Sequence, residues 1–286
     1  LAEAVARDGL TLLDPQGSRR VPGVVAVTEL PKAQAASPER SDLALLTVQA
    51  YDTASVAKEI EACSWMTQER VPVLTFQNGV GNEETLAKVL GDVGVLSGAI
   101  DTPLSIPAPG SVKVHRARYQ IGVAPVQRGS TLDPICRLFI DAGFSVHAFE
   151  DYRSLKWTKL LMNTLANASS AILNWNPAQL LADRVAARLE AEAWQETLAV
   201  MSAHGIRPVN LAGYPFPAIT ALARRLPASW LAKLLRLFVS GGRGDKLPSL
   251  HLALAAHKRS EVSWLNGAVV EFGRALSIPT PVNTVF

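Results

Sequence analysis

LALLTVQAYDTASVAKEIEACSWMTQERVPVLTF, at residues 43–76, is the stretch that decides the fold. Its first six residues form a continuous apolar run, as expected of a parallel strand covered on both faces. A helical stretch follows over residues 54–63, and VPVLTF at residues 71–76 supplies a second strand. Working outward, a Gln77-Asn78-Gly79 turn leads to a helix over residues 83–90 and a third strand over residues 93–100. This strand–helix–strand rhythm implies right-handed parallel crossovers and a doubly wound, Rossmann-type α/β sheet. Pro107, Pro109 and Gly110 give residues 102–123 a hairpin-like pattern, and a helix over 134–142 and a strand over 145–149 close this half. On the N-terminal side, residues 10–13 read as a strand and residues 1–9 as a short helix or loop.

From Glu150 onward strand signals give way to helical patterns over residues 155–173, 186–203, 217–226, 228–239 and 261–276. The expected organisation is therefore a dinucleotide-binding domain over residues 1–149 and an all-helical substrate or catalytic domain over residues 150–286. A dinucleotide fold places G-x-G-x-x-G at its first strand–helix junction. No such pattern precedes the first strong strand. The N-terminal domain is accordingly expected to be incomplete at its start, with a strand–turn–helix–strand of roughly 30 residues or more upstream.

A net charge of +3, from 28 basic and 25 acidic residues without a basic stripe, argues against a nucleic-acid partner. No run approaches the ~20 apolar residues of a membrane span. The amphipathic segment at residues 228–239 reads as packing against its own domain. Cys63 and Cys136 stand far apart without metal-ligand spacing, and His115, His147, His204, His251 and His257 form no HxH or HExxH pattern, so no metal is expected. Two separate thiols and no visible signal peptide point to a reducing cytoplasm. Arg243-Gly244-Asp245 is too short a match to carry weight.

KWTKLLMNTLAN, residues 156–167, places Lys159, Asn163 and Asn167 at i, i+4 and i+8. On one helix this makes a single polar stripe among apolar neighbours. Buried amides and an ammonium need partners. A ligand with a carboxylate and an oxygen to protonate would satisfy them; so would an interhelical hydrogen-bond network. Glu261 stands where a helix is expected to open, a position that the helix dipole favours without any function. Ser249 follows Pro248 as a turn residue would. Asn78 ends the second strand, and ligands of doubly wound sheets bind at such ends.

Together QNGVG (residues 77–81), KWTKLLMNTLAN and SEVSWLNG (residues 260–267), in this order and spacing, resemble the ketopantoate reductase family, as does the closing IPTPVN (residues 278–283). The resemblance implies reduction of a small 2-oxo acid, 2-dehydropantoate, by NADPH. By match, Lys159 is the general acid with Glu261 assisting, and Asn163, Asn167, Ser249 and Asn78 bind substrate. Asn78, Gln49 and Glu261 fall at cofactor-contact positions. Gln49 departs from the family, which usually has a lysine there, and Ala253 replaces a common acidic residue. Alternatives are a related 2-oxo or 3-hydroxy acid dehydrogenase of the same superfamily, or a non-catalytic cofactor-sensing homologue. Residues 216–242 are an additional helical segment that could shape the substrate entrance or build an oligomer contact, so a homodimer is one option.

Overall fold

A computed structural model describes residues 2–36, 41–91, 94–115, 119–127, 129–240 and 247–286. The chain divides into two compact units. The first comprises Leu1–Val48, Asp52–Phe76 and Glu83–Tyr152; the second comprises Gln49–Tyr51, Gln77–Asn82 and Arg153–Phe286. Two short segments of the α/β half thus belong with the helical unit. The Arg243-Gly244-Asp245 tripeptide lies outside the described residues.

The first unit contains α1 (Ala2–Asp8), β1 (Leu10–Asp14), β2 (Gly17–Val21), α2 (Pro31–Ala36), β3 (Ala44–Leu46), α3 (Thr53–Ala62), α4 (Ser64–Gln68) and β4 (Val73–Thr75). It continues with α5 (Asn82–Leu90), β5 (Val95–Ile100), β6 (Leu104–Ala108), β7 (Ser111–Val114), β8 (Gln120–Pro125), α6 (Asp133–Asp141) and β9 (Ser145–Ala148). The main sheet has the order β3-β4-β5-β8-β9. β3, β4 and β5 are parallel, β8 runs antiparallel to β5, and β9 is parallel to β8. Period-2 alternation sends consecutive residues to opposite faces. Val73 and Val95 therefore pack with Ile60 and Leu86, while Leu74 and Leu96 pack with Val123 and Phe139. Both faces of β4 and β5 are covered, which is why these two read as largely apolar runs; β3, expected to be covered likewise, leaves Leu45 exposed at the end of the sheet order.

The hairpin expected over residues 102–123 is β6–β7, but it joins a separate four-stranded sheet of order β2-β1-β7-β6. β2 was not legible in the sequence: GSRRV has no apolar alternation, and pairing with β1 decides it. Cys63 is buried, Cys136 half-buried, and both are free thiols.

The second unit carries α7 (Tyr152–Thr164), α8 (Ala168–Leu173), α9 (Pro177–Ala182), α10 (Arg184–Ala203), α11 (Phe216–Ala223), α12 (Ala228–Ser240), α13 (Ser249–Ala255), α14 (Asn266–Ala275) and α15 (Pro281–Val285). Its core gathers Trp157, Leu160 and Leu161 of α7, Trp194 and Leu198 of α10, and Leu231 and Leu235 of α12. The buried Trp194 indole N–H donates to the Leu161 carbonyl at 2.7 Å, tying α10 to α7. The Asp183 carboxylate caps α10 by accepting from the N–H groups of Val185 and Ala186. α12 buries Leu231, Ala232 and Leu235 against this core and leaves Trp230, Lys233 and Leu237 exposed. No helix among the described residues is long and apolar enough to cross a membrane.

Two helical expectations are corrected. The helix over residues 155–173 is broken: α7 stops at Thr164, Ala166 takes a left-handed φ of 56°, and α8 starts at Ala168. The buried Glu190 carboxylate of α10 accepts the Ala166 N–H at 2.7 Å and the Ser169 hydroxyl, supplying at the break a partner that the helix would otherwise provide. Glu261 does not open a long helix either. It precedes one 3₁₀ turn, Val262–Trp264, and α14 starts only at Asn266. The dipole explanation for this glutamate therefore fails.

Candidate active site

The candidate site residues Gln49, Asn78, Lys159, Asn163, Asn167, Ser249 and Glu261 all lie in the second unit, so their geometry can be read within one body. β3 and β4 pair in register Leu46↔Thr75, and each is followed three residues later by a polar amide, Gln49 and Asn78. The turn after β4 needs its glycines. Gly79 has φ +81°, and a Cβ there would stand 2.4 Å from the Trp264 carbonyl oxygen and 2.7 Å from its Cβ. The close approach is used: the Val80 N–H donates to that carbonyl at 3.2 Å. Gly81 also has a positive φ, but only open space lies beside it.

From this turn a chain of hydrogen bonds leads through the site. Asn82 Nδ2 donates to the Asn78 carbonyl at 3.0 Å, and Asn163 Nδ2 donates to Asn78 Oδ1 at 2.9 Å. Asn167 Nδ2 donates to the Asn163 carbonyl at 2.8 Å and to Ser249 Oγ at 3.3 Å. The Leu250 N–H donates to Asn167 Oδ1 at 3.0 Å. Asn78, Asn163, Asn167 and Ser249 are thus joined, although Asn167 reaches the group from beyond the helix break rather than from the same helix. Ser249 is not a turn residue; it is the first residue of α13, after Pro248. Lys159 lies one helical turn before Asn163, with 9% of its surface exposed.

Glu261 joins a second arm. Its Oε1 accepts the Ala50 N–H at 2.8 Å. With the Gln49 amide nitrogen turned toward it, Gln49 donates to both carboxylate oxygens at 3.0 Å. The Gln77 amide donates to the Gln49 carbonyl at 3.2 Å, and the Lys156 ammonium donates to the Gln77 carbonyl at 2.5 Å. Burial pushes the Glu261 carboxyl above the ordinary glutamate range, while the Ala50 N–H and the Lys156 charge pull it back. Gln49, which departs from the family's usual lysine, is therefore tied to Glu261 by hydrogen bonds between neutral amide and carboxylate.

Sequence reading missed Lys156 and Gln77. The signal was present for Lys156, because residues 156, 159 and 163 are spaced i, i+3 and i+7 and share one helix face. Gln77 offered none, since it acts through backbone and amide contacts to distant residues. His251 is structural: it is buried, and its Nδ1 lies 3.0 Å from the Ser170 carbonyl, bridging α13 to α8. Two residues of the C-terminal sequence patterns are structural as well. Asn266 Nδ2 donates to Asn283 Oδ1, and Glu196 accepts the N–H groups of Val282 and Asn283 at the start of α15. Among the described residues, no group of three or more His, Cys, Asp or Glu side chains is placed to hold a metal ion.

The family model described as ketopantoate reductase PanE/ApbA matches residues 1–127, and the model for the ketopantoate reductase PanE/ApbA C terminal matches residues 151–286. A 2-dehydropantoate 2-reductase of Pyrobaculum aerophilum is 26% identical over 242 residues, covering 84% of this chain and 72% of that protein. A PanE/ApbA family ketopantoate reductase from Ralstonia eutropha JMP134 superposes with a TM-score of 0.79 at 26% identity, over 99% of this chain and 84% of that one. A D-mandelate dehydrogenase solved with NADH and anilino(oxo)acetate superposes equally well, TM-score 0.79 over 99% and 84% of the two chains, at 18% identity. The α/β unit and helical unit are those of an oxidoreductase acting on CH–OH groups. The chain belongs to the ketopantoate reductase family.

Proposed function

We propose that the protein reduces a small 2-oxo acid, 2-dehydropantoate, to its 2-hydroxy acid with NADPH, and that Lys159 is the proton donor. The observation that carries this reading is the arrangement in the second unit. A buried lysine lies one turn from Asn163, in a chain of neutral amides and a hydroxyl that ends at Ser249, with a partly buried carboxylate, Glu261, held by the Gln49–Ala50 segment.

The residues present fit the flat carboxamide end of a nicotinamide. Gly81 leaves its side of the turn without a side chain, and the exposed Gln49 and Asn78 present amides that can donate and accept. A nicotinamide, when bound, supplies the hydride. This chain's residues do the rest. Asn163 and Ser249 offer hydrogen bonds that orient the substrate's carboxylate and hydroxyl groups, and Asn167, whose amide hydrogens go to the Asn163 carbonyl and Ser249 Oγ, holds Ser249 in place for this. The Lys159 ammonium stabilises negative charge developing on the carbonyl oxygen and then gives that oxygen its proton. Glu261, as a carboxylate, accepts hydrogen bonds only and can take one from a substrate hydroxyl.

Oxidation of NADPH and of NADH should be followed with a panel that includes 2-dehydropantoate and an aromatic 2-oxo acid such as benzoylformate. Turnover selective for 2-dehydropantoate with NADPH supports the reading. A preference for the aromatic acid moves the assignment to a related dehydrogenase, and no turnover with any acid and either cofactor overturns it.

A further inference from the structure

We propose that Lys156 is a positioning residue of this site: from one turn before Lys159 it holds the Gln77–Asn78 turn through the Gln77 carbonyl, and through Gln77 and Gln49 it is linked to Glu261. The inference rests on the reading of Glu261 and Asn78 as parts of the reaction site.

Only 3% of Lys156 is exposed. Burying an ammonium costs several kcal/mol unless it is partnered, and a residue whose only task was packing would not need the charge. Two of the interactions of the ammonium bear on the site. It donates at 2.5 Å to the carbonyl of the residue immediately before Asn78, the acceptor for Asn163. It also acts on Glu261, as the charged group opposing the effect of burial there. The other groups at that carboxylate, the Ala50 N–H and the Gln49 amide, are neutral. Arg259, two residues before Glu261, lies over the Tyr51 ring at 4.7 Å from its centroid. Lys156 therefore couples the two arms: the same side chain that holds the turn carrying Asn78 also draws the Glu261 carboxyl downward against the larger effect of burial.

The test compares wild type with Lys156→Gln, which keeps a donor for the Gln77 carbonyl and removes the charge, and with Lys156→Arg, which keeps the charge. The side-chain carboxyl signal of Glu261 is followed by carbon-13 NMR across pH, assigned by its disappearance in Glu261→Gln, beside the pH profile of kcat/KM. In Lys156→Gln the Glu261 titration should move to higher pH, and the acid limb of kcat/KM should move with it, with the loss several-fold at mildly acidic pH and small at alkaline pH. Lys156→Arg should restore both. Should Lys156→Gln not fold, Lys156→Met carries the same expectation for the carboxyl signal. A Glu261 titration that coincides with wild type in the charge-free variant overturns the proposal. If wild type reduces no oxo acid, the proposed function fails by itself, because the carboxyl titration still reports on Lys156.

Discussion

The Glu190 carboxylate of α10 accepts, at 2.7 Å, the backbone N–H of Ala166, the residue at which the site helix breaks. The break sets where Asn167 stands relative to Asn163, so a buried acid outside the site shapes it.

That acid makes stability depend on pH. Burial raises the Glu190 carboxyl from the ordinary 4.5 to about 7, against the opposing bonds from Ser169 and Ala166. A carboxyl raised in the folded state binds its proton more tightly there than in the unfolded chain. Its stabilising contribution is therefore full below pH 4.5 and is lost as pH rises to about 7. The rise corresponds to on the order of 3 kcal/mol across that window. Glu190→Gln should flatten this component in urea denaturation measured from pH 5 to 8. An unchanged slope would show that Glu190 does not titrate there.

Lys159→Ala should lower kcat by about 10²–10⁴, the usual range for a positioned acid. The thermal midpoint should shift little if the cost of the lost ammonium is offset by water entering the site. Near-wild-type turnover would remove the lysine from the mechanism.

Asn163→Ala and Ser249→Ala should raise KM for the oxo acid more than they weaken cofactor binding. Each removes a neutral hydrogen bond worth ~0.5–1.5 kcal/mol, so KM should rise roughly two- to tenfold. Equal weakening in cofactor titrations would place these residues on the other ligand.

Gly79→Ala tests the turn. The new methyl group would meet the Trp264 backbone at 2.4 Å, at a φ of +81° that side chains disfavour. The left-handed conformation alone costs ~1–2 kcal/mol, and the clash adds to it. A drop in the urea midpoint is expected, whereas Gly81→Ala, with open space beside it, should lower that midpoint by only the conformational part. Equal effects from the two substitutions would mean that the approach to Trp264 is not rigid.

Local pattern alone determined much of this protein. Residues 73–75 and 95–100 form strands that bury both faces, and such strands are mostly apolar, with the buried Ser97 hydroxyl partnered by Glu83. α10 was legible because its apolar residues recur at helical spacing. The candidate residues too were legible as types at spacings: Lys159 with Asn163, Asn78 before Gly79, Ser249 twelve residues before Glu261. What tertiary structure decided is each instance where a distant group outbids a local preference. Residues 155–173 have one helical pattern, yet Glu190 stabilises a break inside it. Glu261 looked like a helix-start glutamate, yet it bonds to Gln49 and Ala50, about 210 residues away in sequence. GSRRV has no strand periodicity, yet β1 supplies its partner. Hydrogen bonds and charges act through space, and periodicity records only which face of its own element a residue occupies. Lys156 shows both halves of this. Its place on the polar face follows from spacing, and its work on Gln77 and Glu261 follows only from the packing that brings them together.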